Sequence, residues 1–260
     1  MKTARFIFNI IKTSLASAFA LRSTFLLQAI LMLLNNLAFF AVWWVFFQRF
    51  SDINGWQFAD MQALFGITAF AFGLTILLAG GVLKLAITIN EGILDAYLVQ
   101  PQNPLMHCCL SESRASGCGD MIAGVILLAF SGHATVSNML PIIVLIITAA
   151  CTLLAFMIAI QCLAFWLGNM DSFARQISEF ILTFSSYPLT IYEIGFKILL
   201  FTIIPAAFVS HLPVMFLREG DWRFLFICLI AGPGYLILAW RWFQFGLKRY
   251  ESGNRFMLRS

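Results

Sequence analysis

Long apolar stretches separated by short polar breaks run through this chain. A helix needs about 20 residues to cross a hydrocarbon core of roughly 30 Å, and several of these stretches approach or exceed that length. The pattern predicts six membrane spans: residues 24–47, 61–83, 120–133, 140–167, 173–187 and 222–245. We therefore expect an all-α integral membrane protein with one transmembrane domain over residues 1–260.

Two stretches do not read as simple spans. Residues 1–22 mix apolar positions with Arg5, Lys12 and Arg22, a pattern typical of an amphipathic helix lying in the headgroup plane. Residues 173–210 would form a single helix about 57 Å long, which exceeds one crossing. Since Tyr187-Pro188 interrupts this stretch, we expect a fifth span followed by a re-entrant hairpin over residues 189–210.

A polar interruption over residues 88–104 separates the second and third spans. Residues 90–98 have apolar positions at helical spacing, and Pro101 and Pro104 then end the helix. Glu91 and Asp95 would form a pair of acids one turn apart on this helix. The segment is therefore either a surface helix that meets a soluble partner or an ordinary solvated connector.

Composition and charge support a membrane protein with a defined orientation. The chain is 61% hydrophobic and 11% charged, with a mean hydropathy of +0.91, whereas soluble domains are about 25% charged. With both termini in the cytoplasm, twelve of the 16 Lys and Arg residues lie on the inner side and four on the outer side. The positive-inside rule favours this arrangement, which places residues 88–104 in the cytoplasm.

The sequence contains no strong signature of metal or nucleotide chemistry. His107, Cys108, Cys109 and Cys118 are close in the chain, but their spacing matches no paired C-x2-C zinc pattern. A G-x-x-x-x-G-K-[ST] phosphate-binding loop is also missing from the sequence. Any energy-requiring process must therefore draw its energy from a separate chain or from an ion gradient.

Three passages resemble the membrane subunits of ABC-2-type exporters, the bacterial ABC-2 permeases. The segment from Asn90 to Leu98 with Pro101-x-x-Pro104 is similar to their "G-x-L-D-x-x-L-x-x-P" cytoplasmic segment. The other two passages are FWLGNMDS (165–172), joined to YPLTIY (187–192), and the tail GLKRYES (246–252). The order and spacing of these passages extend the resemblance over nearly the whole chain.

The resemblance implies a permease that is not itself an enzyme. It implies cytoplasmic ABC ATPase subunits as partners, which bind ATP and Mg²⁺, so that this chain holds no cofactor. It further implies a second permease subunit, identical or related, contact with membrane lipids, no role for nucleic acid, and a place in the bacterial inner membrane. Substrate would leave the cytoplasm or inner leaflet, and lipids, hydrophobic drugs, organic cations and lipid-linked glycans all stay open.

The candidate coupling residues follow from the resemblance. Glu91, Gly92 and Asp95 are expected to contact the ATPase, because exposed acids on a short helix can pair with basic residues of a docking groove. Asp171 and Ser172 are candidates for a second cytoplasmic contact. Ser172 could equally be a cap for the fifth span.

Four further residues are candidates for the translocation path: Asn35, Asn36, Gln161 and Tyr187. Hydrogen bonding between helices is the alternative role for the three amides. An ion-coupled secondary transporter is the alternative function, and it would be expected to show inverted repeats and buried ionisable residues near the midplane. A membrane-embedded enzyme would need convergent His, Asp or Ser residues at one depth, whereas the three histidines are predicted on different sides.

Overall fold

The computed structural model describes residues 2–250, with side chains from residue 5 onward. In this part of the chain the regular structure is helical, with one isolated bridge between Ile53 and Trp56. The α-helices are α1 (Lys2–Ala20), α2 (Arg22–Phe47), α3 (Phe58–Ala79), α4 (Leu85–Asn90), α5 (Leu94–Leu98), α6 (Pro104–Leu110), α7 (Ser116–Phe130), α8 (Met139–Gln161), α9 (Ala164–Leu167), α10 (Asp171–Ser185), α11 (Ile194–Thr202), α12 (Leu212–Glu219) and α13 (Trp222–Leu247). Some residues used in the sequence analysis lie outside this described part of the chain. They are Met1 of the predicted interfacial helix, Glu251 and Ser252 of the tail passage, and Arg255 and Arg259 of the charge count.

Among the described residues, four helical stretches are long and apolar enough to cross a membrane. They are Arg22–Phe47, Phe58–Asn90, Val136–Leu167 and Trp222–Leu247. The stretch from Phe58 contains α3, a 3-10 turn at Gly80–Lys84 and α4. The fold is therefore that of an all-α, multi-pass membrane protein, with four such stretches where the sequence predicted six spans.

The predicted third and fifth spans correspond to helices of 15 residues each, α7 and α10. At 1.5 Å per residue each is about 22 Å long, shorter than a hydrocarbon core of roughly 30 Å. α7 is apolar and packs against α2 and α3. α10 is amphipathic, with Arg175 and Glu179 exposed on one side and Ile181 buried on the other.

The region of the predicted re-entrant hairpin extends further than expected. α11 is followed by a π-helical turn at Ala207–His211 that leads into α12, and the two arms bend by 82°. The second arm ends at Glu219, beyond the predicted limit at residue 210. Pro213 does not break this arm, which stays helical from Ala207 to Glu219 and has its π-helical turn just before the proline. By length and composition the pair is either a fifth, broken span or a re-entrant loop.

Glycines bring α3 and α7 into close contact. A Cβ atom on Gly73 would lie 2.5 Å from the carbonyl oxygen of Gly117, and a Cβ atom on Gly124 would lie 2.7 Å from that of Gly66. Both helices therefore approach at backbone distance, as small residues allow in membrane helix pairs.

A polar cluster joins several elements at the end of the molecule where α2 ends and α3 begins, which we call the outer end after the predicted topology. Asp60 in the first turn of α3 is 5% exposed and lies 3.1 Å from His133 Nε2 and 3.5 Å from Arg218 Nε. Arg218 also donates to the Gly55 carbonyl (2.8 Å) and lies over the Trp56 ring. These contacts join α12 and the turn after α7 to α3, which gives His133 a structural role.

Candidate functional site

The segment between α4 and α6 lies at the opposite end of the molecule, which we call the coupling end after the contact predicted there. Gly92 has φ +73°, a left-handed conformation that favours glycine, and it separates α4 from α5. α5 therefore begins at Leu94, and the predicted helix over residues 90–98 is wrong in its first turn. Glu91 ends α4 while Asp95 lies in α5, so the two acids do not share a helix.

Apolar contacts hold this segment against the spans. Leu94 is fully buried in a cluster with Ile89, Leu105 and Phe243. Asn103 caps α6 by accepting a hydrogen bond from the Met106 amide (3.3 Å), and Pro104 occupies the first turn of that helix. α5 packs against α6, and α6 packs against α1, α3 and the 3-10 turn at Gly80–Lys84, so these contacts set the orientation of the two short helices.

His107 joins the coupling segment to the N-terminal helix. Its ring meets that of Tyr97 edge-on at 4.8 Å and that of Phe6 at 5.3 Å. Burial lowers the pKa of His107, because the cationic imidazolium loses hydration there. α1 thereby packs directly on α6, and a displacement of α6 would also displace α1.

Apolar side chains dominate the outward face of the coupling segment. Ile93 is 44%, Leu98 36% and Val99 85% exposed, and Glu91 is exposed beside them. We call these four residues the coupling patch. Sequence reasoning emphasised the acids, whereas the structure presents an apolar surface with one flanking carboxylate. Such a surface is suited to a partner's groove.

Asp95 is turned toward the protein. Its side chain is partly buried next to Tyr250, just beyond the end of α13. Burial and the neighbouring Asp95 carboxylate both raise the pKa of Tyr250, since each disfavours the phenolate. Asp95 thus connects α5 to the end of the last span, a contact that the sequence did not reveal because 155 positions separate the two residues.

The second candidate contact, Asp171 and Ser172, forms the first turn of α10 at the same end, where α10 contacts α4. Asp171 Oδ2 pairs with Arg175 one turn further on at 2.6 Å. Ser172 is exposed and lies inside the helix, so its interpretation as a cap is wrong; Met170 precedes the helix without a side-chain cap bond.

Two cavities lie along α2, and we call them, with the stripe of α2 between them, the groove. Near the coupling end, the first has a volume of about 260 Å³ and is lined by Met32, Phe72, Arg114, Arg175 and Glu179, among others. Near the outer end, the second has a volume of about 530 Å³ and is lined by residues of α2, of the turn after α2 and of the chain between α10 and α11. The lining residues of this outer cavity are Phe39, Val42, Trp43, Phe46, Ile53, Asn54, Tyr187 and Ile191.

The four path candidates divide into two pairs. Asn35 is exposed and lies on the stripe of α2 that carries Met32 and Phe39, at helical spacing between the two cavities. Tyr187 lines the outer cavity. Asn36 is turned toward α7, and Gln161 is fully buried, accepting a hydrogen bond from the Ala86 amide (3.1 Å). Only Asn35 and Tyr187 therefore border the groove.

Sequence reasoning missed a buried carboxyl group. Asp120 was expected at the start of a span, near an interface, but it lies in the second turn of α7 and is 1% exposed. Its Oδ1 accepts a hydrogen bond from the Asn36 amide at 2.7 Å, and its Oδ2 has no partner in the described part of the chain. The amide at position 36 in an apolar helix was the available signal, since such a group needs a polar partner.

The cysteines near the coupling segment do not form a metal site with its histidine. Cys108 and Cys109 are buried on α6, and burial raises the pKa of the Cys108 thiol to about 12. Cys118 lies on α7. Over residues 2–250 no group of three or more His, Cys, Asp or Glu side chains is placed to hold a metal ion.

Comparison with known families identifies the class of this protein. The model of the family described as ABC-2 family transporter protein matches residues 30–253, which covers every predicted span except the first turns of the first. The chain belongs to this family, and is thus a multi-pass transmembrane permease of an ABC transporter. Family membership implies partnership with ABC ATPase subunits. Comparisons with curated proteins and with solved structures gave no match.

Proposed function

We propose that this chain is the permease of an ATP-driven exporter in the bacterial inner membrane, with both termini in the cytoplasm. Partner ABC ATPases bind ATP and Mg²⁺ and dock on the coupling patch, and a second permease subunit completes the path. The observation that carries the proposal is the coupling patch itself. It exposes three apolar side chains on a segment whose buried side chains belong to one apolar cluster with residues of α3, α8 and α13.

The supporting argument for coupling is mechanical. α5 and α6 contact each other, α6 contacts α1, and α4 contacts α9 and α10. A force applied to the coupling patch therefore reaches the helix that forms one wall of the groove. In this proposal ATP binding and release by the partner change the width of the groove through α4 and α10.

The supporting argument for a second permease concerns polar groups at membrane depth. Asn35, Gln176 and Glu179 are exposed on helices that otherwise lie among spans. Lipid cannot satisfy such groups, so they favour a water-filled cavity or another protein surface. α2 is also the least covered of the four apolar stretches, with 11% of its apolar window buried.

Docking on the coupling patch is tested by changing Val99 to aspartate. We expect recovery of the ATPase with the tagged, solubilised permease to fall about tenfold or more, because a carboxylate would have to be desolvated in an apolar contact. Val136→Asp is the matched control, because Val136 is 91% exposed at the outer end. The measurement is the amount of co-purified ATPase per permease.

Equal recovery with both variants would move the docking site away from the coupling patch. A wild-type permease that recovers no ATPase, even after mild crosslinking, would contradict the coupled exporter altogether. Glu91→Lys provides a further comparison, since Glu91 is the exposed acid of the patch; Asp95→Lys would in addition disturb the contact with Tyr250.

The groove is tested by thiol accessibility. A cysteine introduced as Asn35→Cys should react with a charged methanethiosulfonate reagent about tenfold faster than one introduced as Leu34→Cys, because only a hydrated thiol ionises to the reactive thiolate. Leu34 is 55% exposed at nearly the same depth but lies about 100° further round α2. Equal labelling of the two variants in membranes would show that the groove is not a water-filled path.

A further inference from the structure

A polar cavity of about 520 Å³ lies at the coupling end, and we call it the junction cavity because it borders the junction of α1 with α2. Ser17, Thr24 and Gln28 line it on the side of α1 and α2, and Ser113 and Ser116 line it on the side of α7. Its volume lies within the roughly 300–1,000 Å³ typical of sites for small molecules. The cavity is therefore large enough for a small polar ligand.

The lining of the junction cavity carries an excess of positive charge. Lys84 Nζ lies 2.5 Å from one carboxylate oxygen of Glu112, and Arg114 Nε lies 3.6 Å from the other. Two cations thus share one carboxylate. The three side chains are between 33% and 54% exposed, so a ligand can reach them.

Charges around the cavity do not cancel this excess. Beyond Arg114, the adjoining cavity of about 260 Å³ adds Glu179 and the ion pair of Arg175 with Asp171, which is one further negative charge. On the other side, α1 and α2 supply only cations, because the first 51 residues contain no Asp or Glu. Arg22 of α2 is exposed and lies in the sequence between two residues that line the junction cavity. The balance on the side of α1 and α2 therefore stays positive.

Polar groups at the junction cavity also lack partners. Ser113 Oγ and Arg114 Nε are buried and make no hydrogen bond with any described residue. α7 begins at the cavity with Ser116, and no side chain caps its first turn. The N–H groups of an uncapped first turn favour an anion. Positive charge, unpaired donors and a helix N-terminus thus all favour an anionic oxygen ligand such as a phosphate.

The surface next to the junction cavity is apolar. Leu21 lines the cavity and is 68% exposed. Leu27 and Leu31 follow Thr24 by three and seven residues on the same stripe of α2, and they are 58% and 56% exposed. α2 is long and apolar enough to cross a membrane, and 11% of its apolar window is buried. A lipid with its phosphate in the cavity would therefore find a surface for its acyl chains along α2.

We propose that the junction cavity binds the phosphate of an anionic phospholipid, with Lys84 and Arg114 as its cationic ligands. This lipid site goes beyond the proposed transport function and does not depend on docking of the ATPase. A zwitterionic headgroup is disfavoured, because its ammonium group would meet two cations whose shared carboxylate, Glu112, is already engaged.

Phospholipids with a fluorophore on the acyl chain provide the test. Phosphatidylglycerol and phosphatidylcholine with identical chains are titrated in detergent onto the permease, together with any ATPase that co-purifies, and fluorescence anisotropy reports binding. We expect phosphatidylglycerol to bind saturably and about tenfold more tightly than phosphatidylcholine. Lys84→Gln should weaken binding of phosphatidylglycerol about fivefold, through loss of one cation at the membrane surface.

Glu112→Gln distinguishes a ligand site from a cluster with a merely structural role. Removal of the carboxylate raises the positive charge of the cavity, so phosphatidylglycerol should bind more tightly, by about fivefold. Lys248→Gln is the matched control, because Lys248 is exposed at the coupling end and lines neither the junction cavity nor the groove. Its affinity should equal that of the wild type, and thermal unfolding of each variant checks that the fold is intact.

Three results would overturn the proposal: equal affinity for the two phospholipids, unchanged affinity in Lys84→Gln, or weaker binding in Glu112→Gln. Inorganic phosphate in large excess should leave the lipid bound, and displacement by it would assign the cavity to soluble phosphate instead. Loss of the ATPase from Val99→Asp bears on the transport function alone, so failure of either proposal is visible separately.

Discussion

Replacing Gly73 by valine is expected to lower the thermal unfolding midpoint of the purified permease by about 5–10 °C. The new Cβ atom would lie 2.5 Å from the Gly117 carbonyl oxygen and 2.8 Å from the Asp120 Cβ atom. Neither is the end of a flexible side chain, so α3 and α7 would have to separate. Overpacking of this kind costs about 1–3 kcal/mol, and 1 kcal/mol corresponds to roughly 2–4 °C in a chain of this size.

Gly234→Val is the matched control for this substitution. Gly234 lies inside α13, and a Cβ atom there would have no neighbour within 4 Å. Valine has a higher helix propensity than glycine, so the control should leave the midpoint unchanged or raise it slightly. If Gly73→Val unfolds at the temperature of the control, the close contact between α3 and α7 does not exist in the protein.

The second large effect on stability is expected from loss of the hydrogen bond between Asn36 on α2 and Asp120 on α7. Asn36→Leu removes the only described hydrogen-bond donor to Asp120, a side chain that is 1% exposed. Leaving a buried polar group without its partner costs about 1–3 kcal/mol, and more when the group is charged. We expect a loss of about 5 °C or more in the unfolding midpoint, again measured on the purified permease.

The double variant Asn36→Leu, Asp120→Leu tests the cause of this loss. Replacing both partners by apolar groups of similar size can be nearly neutral, so the double variant should recover most of the stability. A double variant whose loss of stability equals the sum of the two single losses would mean that Asn36 and Asp120 do not interact. Asn35→Leu, one position along the same helix, should change the midpoint little, because Asn35 is exposed.

Hydropathy and short-range signals predicted much of the secondary structure. The apolar stretches correspond to α2, α3, α8 and α13, since burial of a long apolar run in lipid depends on composition alone. The sequence predicted one helix over residues 90–98. Because Gly92 adopts a left-handed conformation, α5 begins only at Leu94.

The sequence did not determine the direction in which polar side chains on a helix point. Asn35 and Asn36 are neighbours in the chain, and each fits either a path or a helix contact. About 100° of helical rotation separates them, so one borders the groove while the other meets Asp120 on α7. Which of the two faces inward depends on how α2 packs, and that depends on side chains more than 80 residues away.

The sequence by itself determined that this is an apolar, all-helical membrane protein of the ABC-2 type, that its charge distribution favours one orientation, and that a polar segment around Gly92 separates two spans. These properties follow from composition, local periodicity and short motifs, which act within about one helical turn to one span. Only the tertiary structure decided that the coupling patch is apolar, that Asp95 meets Tyr250, and that Glu179 lines one cavity with Arg114 and Arg175. Those properties depend on contacts between distant parts of the chain, and the free energy of such contacts is set by packing and desolvation in three dimensions.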